Sequence, residues 1–135
     1  MDTKDIKIKA VVAGVLIDIV GSTIIGVLLG VLVVATSGGA SAAQLAVLKD
    51  NIYVSVLGLL GSTLSTGLGG YVAARLSLPE GMINALTVGV ISLLLGIVLA
   101  VFVSDLTSGW KLLAGFILTI PAAYVGGKIA TRGSS

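Results

Sequence analysis

The chain has 135 residues, 56% of them hydrophobic and 10% charged, with a formal net charge of +2 at pH 7. A water-soluble domain carries about 25% charged residues, so this composition cannot dress a surface for water and points to a bilayer. With no Cys and no His, disulfides, thiolate chemistry, imidazole acid–base work and most transition-metal ligation are excluded, and so small a net charge gives no basic patch for nucleic acid.

Crossing about 30 Å of hydrocarbon takes about 20 apolar residues. Four runs of that size lie between charges, at about 9–36, 51–75, 81–103 and 110–130. No run alternates apolar with polar as a β-barrel strand would. The expected fold is therefore all-α, an integral membrane four-helix bundle forming a single transmembrane domain over 1–135. Ala40-Ser41-Ala42 looks like a signal-peptidase site, but the apolar run before it is far longer than the core of a cleaved signal, so it reads as a span.

The first span carries Asp18, the one charged side chain well inside an apolar run. Asp18 lies nine residues past Lys9, roughly 13 Å along a helix. An ionised Asp at mid-bilayer costs about 2.5–3.5 kcal/mol on insertion scales, so such acids face protein or water and mark candidate proton or ion sites. Its neighbours three and four residues away, Gly14, Gly21 and Ser22, put it on the small, protein-facing side of the helix. The following connection, Ser37 to Asp50, contains Ser41-Ala-Ala-Gln44, which reads either as a capped short surface helix or as an irregular loop.

The second span ends before Ser77–Glu80, where Pro79 stops the helix and turns the chain. Ser65 and Thr66 in this span lie at a depth similar to Asp18. Asn84 and Thr87 in the third span are somewhat shallower. Ser22, Ser65, Thr66 and Asn84 are the expected members of a polar pocket around Asp18. Within it Asp18 is either protonated, or ionised and paired with Arg75 or Lys128 reaching back from the interface. Most hydroxyls in such helices bond to the carbonyl one turn earlier. No selectivity-filter ring, metal cluster or phosphate loop can be assembled from the other polar residues, and no nucleophile has a base beside it. No cofactor and no enzymatic activity are expected.

Counting cations near the span ends gives Lys4, Lys7, Lys9, Arg75, Lys128 and Arg132 on one side against Lys49 and Lys111 on the other. The positive-inside rule then puts both termini in the cytoplasm, in the plasma (inner) membrane of a bacterial-type cell. Tyr53 and Trp110 fall at the outer interface, Tyr71 and Tyr124 near the inner one.

Small residues recur at intervals of four. Span two has Gly61, Ser65, Gly69 and Ala73, flanked by Gly70 and Ala74; span three has Gly81, Ala85 and Gly89; span four has Gly115, Thr119, Ala123 and Gly127 beside Gly126; span one has Gly26 and Gly30. Such stripes let helices approach closely in lipid, either within the chain or against a second copy or other membrane subunits. Pro121 in span four removes a backbone N–H and frees a carbonyl.

Gly69-Gly-Tyr-Val-Ala-Ala-Arg75 matches Ala122-Ala-Tyr-Val-Gly-Gly-Lys128 at an offset of 53. Ile17-Asp18 matches Ile83-Asn84, and Val27-Leu-Leu-Gly30 matches Leu93-Leu-Leu-Gly96, at an offset of 66. This reads as two similar helical hairpins related by a pseudo-two-fold axis along the membrane normal.

Leu16-Ile-Asp18-Ile-Val-Gly21-Ser-Thr-Ile24 resembles the first helix of the small multidrug resistance exporters, four-helix proteins with an essential acid followed by a Gly. The resemblance covers about nine residues. It implies a dual-topology dimer exchanging protons for cationic drugs at Asp18. The acid in that family is normally Glu, its drug-lining aromatics have no counterparts here, and the charge bias of this chain favours one orientation. Gly61-Ser-Thr-Leu-Ser-Thr66 is similar to the threonine–serine segment of fluoride channels, without their Phe pair. Across the whole chain the pattern G-x-x-x-D-x-x-G-S followed by G-G-Y-x-A-A-R resembles small four-helix, Gly-rich bacterial membrane proteins that have no assigned activity.

Two functions follow as expectations. The first is a non-enzymatic homo-oligomer or accessory subunit of a larger membrane complex, assembled through Gly faces. The alternative is a small proton-coupled or cation transporter using Asp18.

Overall fold

The computed structural model describes residues 6–36, 38, 41, 51–102 and 109–132. Four α-helices account for nearly all of these: α1 (Ile8–Thr36), α2 (Ile52–Leu76), α3 (Gly81–Phe102) and α4 (Gly109–Arg132). All four are long and apolar enough to cross a membrane. No strand occurs among the described residues. The segment Ser41-Ala-Ala-Gln44, the connection 103–108 and the cations Lys4 and Lys49 lie outside the described residues, apart from Ser41 itself.

The helix ends have local causes. Asn51 caps α2, its side-chain oxygen accepting from the backbone N–H of Tyr53 at 2.9 Å, the usual role of Asn before a first turn. At the other end Ser77 is fully buried and donates from Oγ to the carbonyl of Ala73 at 2.5 Å, so the chain leaves the helix with a terminal carbonyl satisfied. Pro79 follows, and its bond from Leu78 is cis. Within α4 the helix continues through Pro121.

α2 is the centre of the bundle and packs on α1, α3 and α4, while α3 also packs on α4 and, less extensively, on α1. α1 and α4 do not pack extensively on each other. We call the end where α1 begins and α4 finishes proximal, and the opposite end distal. The core is small-residue packing rather than a mass of large side chains. Its fully buried members include Ala73, Ala74, Ala85, Val88 and Ala123.

Backbone contact explains that economy. A Cβ on Gly70 would lie 2.6 Å from the carbonyl oxygen of Ala123, and one on Gly127 would lie 2.5 Å from the Cβ of Ala85. Gly126 sits directly against the Gly67 carbonyl, and Gly61 against the side chain of Ile25. Gly89 similarly has no room beside Ala123. Helices meet this closely only where at least one of them carries no side chain at the crossing. The outer faces are apolar along the helices, with exposed Leu16, Val20, Ile24, Val27 and Val31 on α1 and Leu57, Leu60, Leu64 and Leu68 on α2.

Gly26 and Gly30 do not follow the pattern of the other stripes. A Cβ added at either would meet nothing within 4 Å. The close packing expected of them does not occur among the described residues, because α1 turns Ile25 and Leu29, and not these glycines, toward Gly61 and Gly58 of α2.

Candidate functional site

Asp18 is 7% exposed, turned inward by the small neighbours Gly14 and Gly21 that let α1 settle on α2. A Cβ on Gly21 would lie 2.8 Å from Ser65 Oγ, and one on Gly69 would lie 3.2 Å from Asp18 Cβ. The helix face that carries the acid is thus the face in contact with α2.

Three hydroxyls from three helices converge on its carboxyl group. Thr66 of α2 donates from Oγ1 to Asp18 Oδ1 at 2.9 Å. Ser22 of α1 approaches the same oxygen at 3.4 Å. Ser92 of α3 donates from Oγ to Oδ2. Both carboxyl oxygens are therefore met by hydroxyls, groups that can donate to a carboxylate or accept from a carboxylic acid. None of the partners is basic.

The common depth of these residues follows from helix register. Asp18 is ten residues from the proximal start of α1 at Ile8, Thr66 is ten from the proximal end of α2 at Leu76, and Ser92 is eleven from the start of α3 at Gly81. At 1.5 Å per residue these positions share one layer to within about 2 Å.

Two of the four expected pocket members therefore touch Asp18, namely Ser22 and Thr66. Ser65 is buried on the α1–α2 contact, and its Oγ donates to the Gly61 carbonyl at 3.1 Å. Asn84 lies near the proximal end of α3, where Oδ1 accepts from the backbone N–H of Lys7 at 2.8 Å and Nδ2 donates to the Glu80 carbonyl at 3.0 Å. It anchors the start of α1 to the turn before α3 and does not join the pocket. Lys7 adds a half-exposed ion pair to Glu80 at 3.6 Å.

The expected pairing of Asp18 with Arg75 or Lys128 does not form. Both basic residues are exposed at the proximal ends of their helices, and Lys128 Nζ lies 5.7 Å from the centre of the Tyr124 ring. Hydroxyls occupy the positions that a cation would have needed. Ser92 is the member that sequence reasoning missed. Its signal was available in the register just described and in its place two turns beyond Asn84.

Asp18 stands at the end of a cleft of about 360 Å³ lined by all four helices. Ser22, Thr23, Ser62, Thr63, Thr66 and Thr119 give it a hydroxyl-rich wall, with Leu95 and Leu99 on the α3 side. Given the direction of each helix, these residues lie level with Asp18 or on its distal side. On the proximal side the structure is closed. A Cβ on Gly14 would lie 2.6 Å from the Gly69 carbonyl oxygen, 2.7 Å from Val88 Cγ2 and 2.9 Å from Ala73 Cβ. Val11, Ala73 and Val88 continue that plug as one buried apolar cluster.

No protein-family model, curated protein or solved structure matches this chain significantly. The reading of the site accordingly rests on its geometry.

Proposed function

We propose that the protein is a small transporter of the bacterial-type inner membrane, both ends cytoplasmic, in which Asp18 takes up a proton or monovalent cation from a one-sided cleft. The observation that carries this reading is the carboxyl group of Asp18. It is buried, met by three hydroxyls and no base, at the closed end of a polar cleft. An acid held by a fixed cation is neutralised permanently, whereas one that faces a cleft with hydroxyls around it is free to bind and release a proton or cation. Lys7, Lys9, Arg75, Lys128 and Arg132 at the proximal end, against Lys111 at the distal end, support a cytoplasmic proximal face. The meeting of Gly70 with Ala123, residues equivalent at the 53-residue offset, supports two related hairpins with a pseudo-two-fold axis between α2 and α4.

Reconstitution tests the proposal. In proteoliposomes carrying an imposed gradient, the wild-type chain moves protons or alkali cations and Asp18→Asn does not. A fully active Asp18→Asn, correctly inserted, would sink it.

A second reading retains support from one feature. Gly26 and Gly30 are bare, and Val27, Val31 and Val34 beside them are exposed, which favours self-association or docking on another membrane subunit through distal α1. The remaining stripes favour it less, because their glycines meet partners within the chain. Native mass spectrometry of gently extracted protein separates a monomer, a homo-oligomer and a larger complex.

A further inference from the structure

We infer that Asp18, Ser22, Thr66 and Ser92 form a binding site for one alkali cation of sodium size, closed on its proximal side. This rests on the transporter reading above and names its ligand.

The donor set selects the class of ion. The groups present are the two Asp18 oxygens and the hydroxyl oxygens of Ser22, Thr66 and Ser92. All are hard oxygen donors, which suit alkali and alkaline-earth ions and not soft metals. They carry at most one negative charge. A divalent ion would leave a net charge of +1 in a buried site, whereas a monovalent ion leaves none.

Spacing selects the size. Oxygens sharing an ion at about 2.4 Å and at right angles lie about 3.4 Å apart. The Ser22 and Thr66 hydroxyls lie 3.4 and 2.9 Å from Asp18 Oδ1 and Ser92 Oγ is closer still to Oδ2, so Ser92 must draw back for an ion to enter, least for a small one. A potassium-sized ion would have to spread helices that are locked one turn away at Gly14 and Gly69.

A hydroxyl ligates an ion through its lone pairs with its own proton turned away, so Ser22 and Ser92 must rotate their protons off Asp18. Thr66 has an alternative acceptor, since its Oγ1 also lies 3.1 Å from the Ser62 carbonyl oxygen. Swinging the proton to Ser62 turns the lone pairs of Oγ1 toward Asp18 and the cleft. Ser22 and Thr66 meet Oδ1 while Ser92 meets Oδ2, so each carboxyl oxygen has beside it a hydroxyl with which it could share an ion.

The route is also present. The cleft of about 360 Å³ has hydroxyls that can replace water around an entering ion, and it extends from Asp18 distally and outward past the exposed Ile19, Leu95 and Leu99. The Gly14–Gly69 crossing and Val88 close the other side.

Calorimetric titration of the purified chain in nanodiscs tests this, with NaCl, LiCl or KCl replacing choline chloride at constant ionic strength and pH 8. The expected result is saturable one-to-one binding of Na⁺, at least tenfold weaker binding of K⁺, and competition by protons as the pH is lowered. Thr66→Val and Ser92→Ala each keep the helix and remove one ligand, and each should weaken Na⁺ at least tenfold. Asp18→Asn should abolish binding. No saturable Na⁺ signal above choline, or binding unchanged in both hydroxyl variants, overturns the inference. If Na⁺ does not bind but proton flux still requires Asp18, the transporter reading stands with the proton as its only ion. If flux is also independent of Asp18, both fall.

Discussion

Gly14 of α1 and Gly69 of α2 face each other so closely that a Cβ on the first would lie 2.6 Å from the carbonyl of the second, and a Cβ on the second 2.5 Å from the carbonyl of the first. The obstacle in each case is backbone, which cannot rotate aside. This crossing holds α1 against α2 one turn below Asp18 and also closes the proximal side of the cleft.

Gly14→Ala and Gly69→Ala should each destabilise the fold by about 1–3 kcal/mol, the range for forcing extra carbon into a packed interior. Reversible unfolding in mixed micelles, followed by helicity, measures this. A variant as stable as wild type would mean that the two helices can part without penalty.

Gly26→Ala and Gly30→Ala should leave the stability of the isolated chain within about 0.5 kcal/mol, since the added methyl meets open space. Alanine is also the better helix former, so the sign can be favourable. A change in oligomer distribution on native mass spectrometry, at unchanged stability, would show that this face is covered by another molecule.

Asn84→Leu should cost about 1–3 kcal/mol, because it removes the acceptor of the Lys7 backbone N–H. Faster hydrogen exchange at the Lys7 amide, with amides around Thr66 unaffected, is the expected signature. Glu80→Gln should change stability by less than about 1 kcal/mol, since its pairing with Lys7 is half exposed. Equal effects of the two substitutions would contradict this division.

The lack of native cysteine makes access to the cleft directly measurable. Ser62→Cys and Leu99→Cys should react with a membrane-impermeant thiol reagent added on the distal side of oriented vesicles. Ala73→Cys and Val88→Cys, at positions fully buried in the proximal plug, should react from neither side. Labelling at Ala73→Cys or Val88→Cys from the proximal side would show that the plug opens.

The helix limits were legible because charges and Pro79 bracket the apolar runs, and the expected spans end within two residues of the observed helices. The inward placement of Asp18 was legible too, since Gly14, Gly21 and Ser22 share its face. Rotation and neighbourhood were harder. Helices that are apolar on every side carry almost no amphipathic signal to fix which face turns inward. Ser92 passed unnoticed for that reason, as a single hydroxyl in a long aliphatic run. Asn84 was drawn into the pocket by its chemistry, although it lies only three residues from the start of α3. The pairing of Asp18 with Arg75 or Lys128 failed for a similar reason, since side-chain reach was considered without helix rotation. Gly26 and Gly30 have the spacing of a packing stripe, yet the rotation of α1 gives the contact with α2 to Ile25 and Leu29 instead.

α1 has 29 residues, whereas the other helices have 22 to 25. At 1.5 Å per residue it is about 43 Å long, well beyond a hydrocarbon thickness of about 30 Å. In a bilayer such a helix must tilt or locally thicken the membrane. α1 is fastened to α2 at Gly14 and Gly21 and, further along, by Ile25 and Leu29 against Gly61 and Gly58, while the face with Gly26 and Gly30 is turned outward. Any tilt then shifts α1 chiefly relative to α4, on which it has no extensive packing, and the mouth of the Asp18 cleft widens or narrows with it. Lipid chain length thereby becomes a mechanical input to this small bundle.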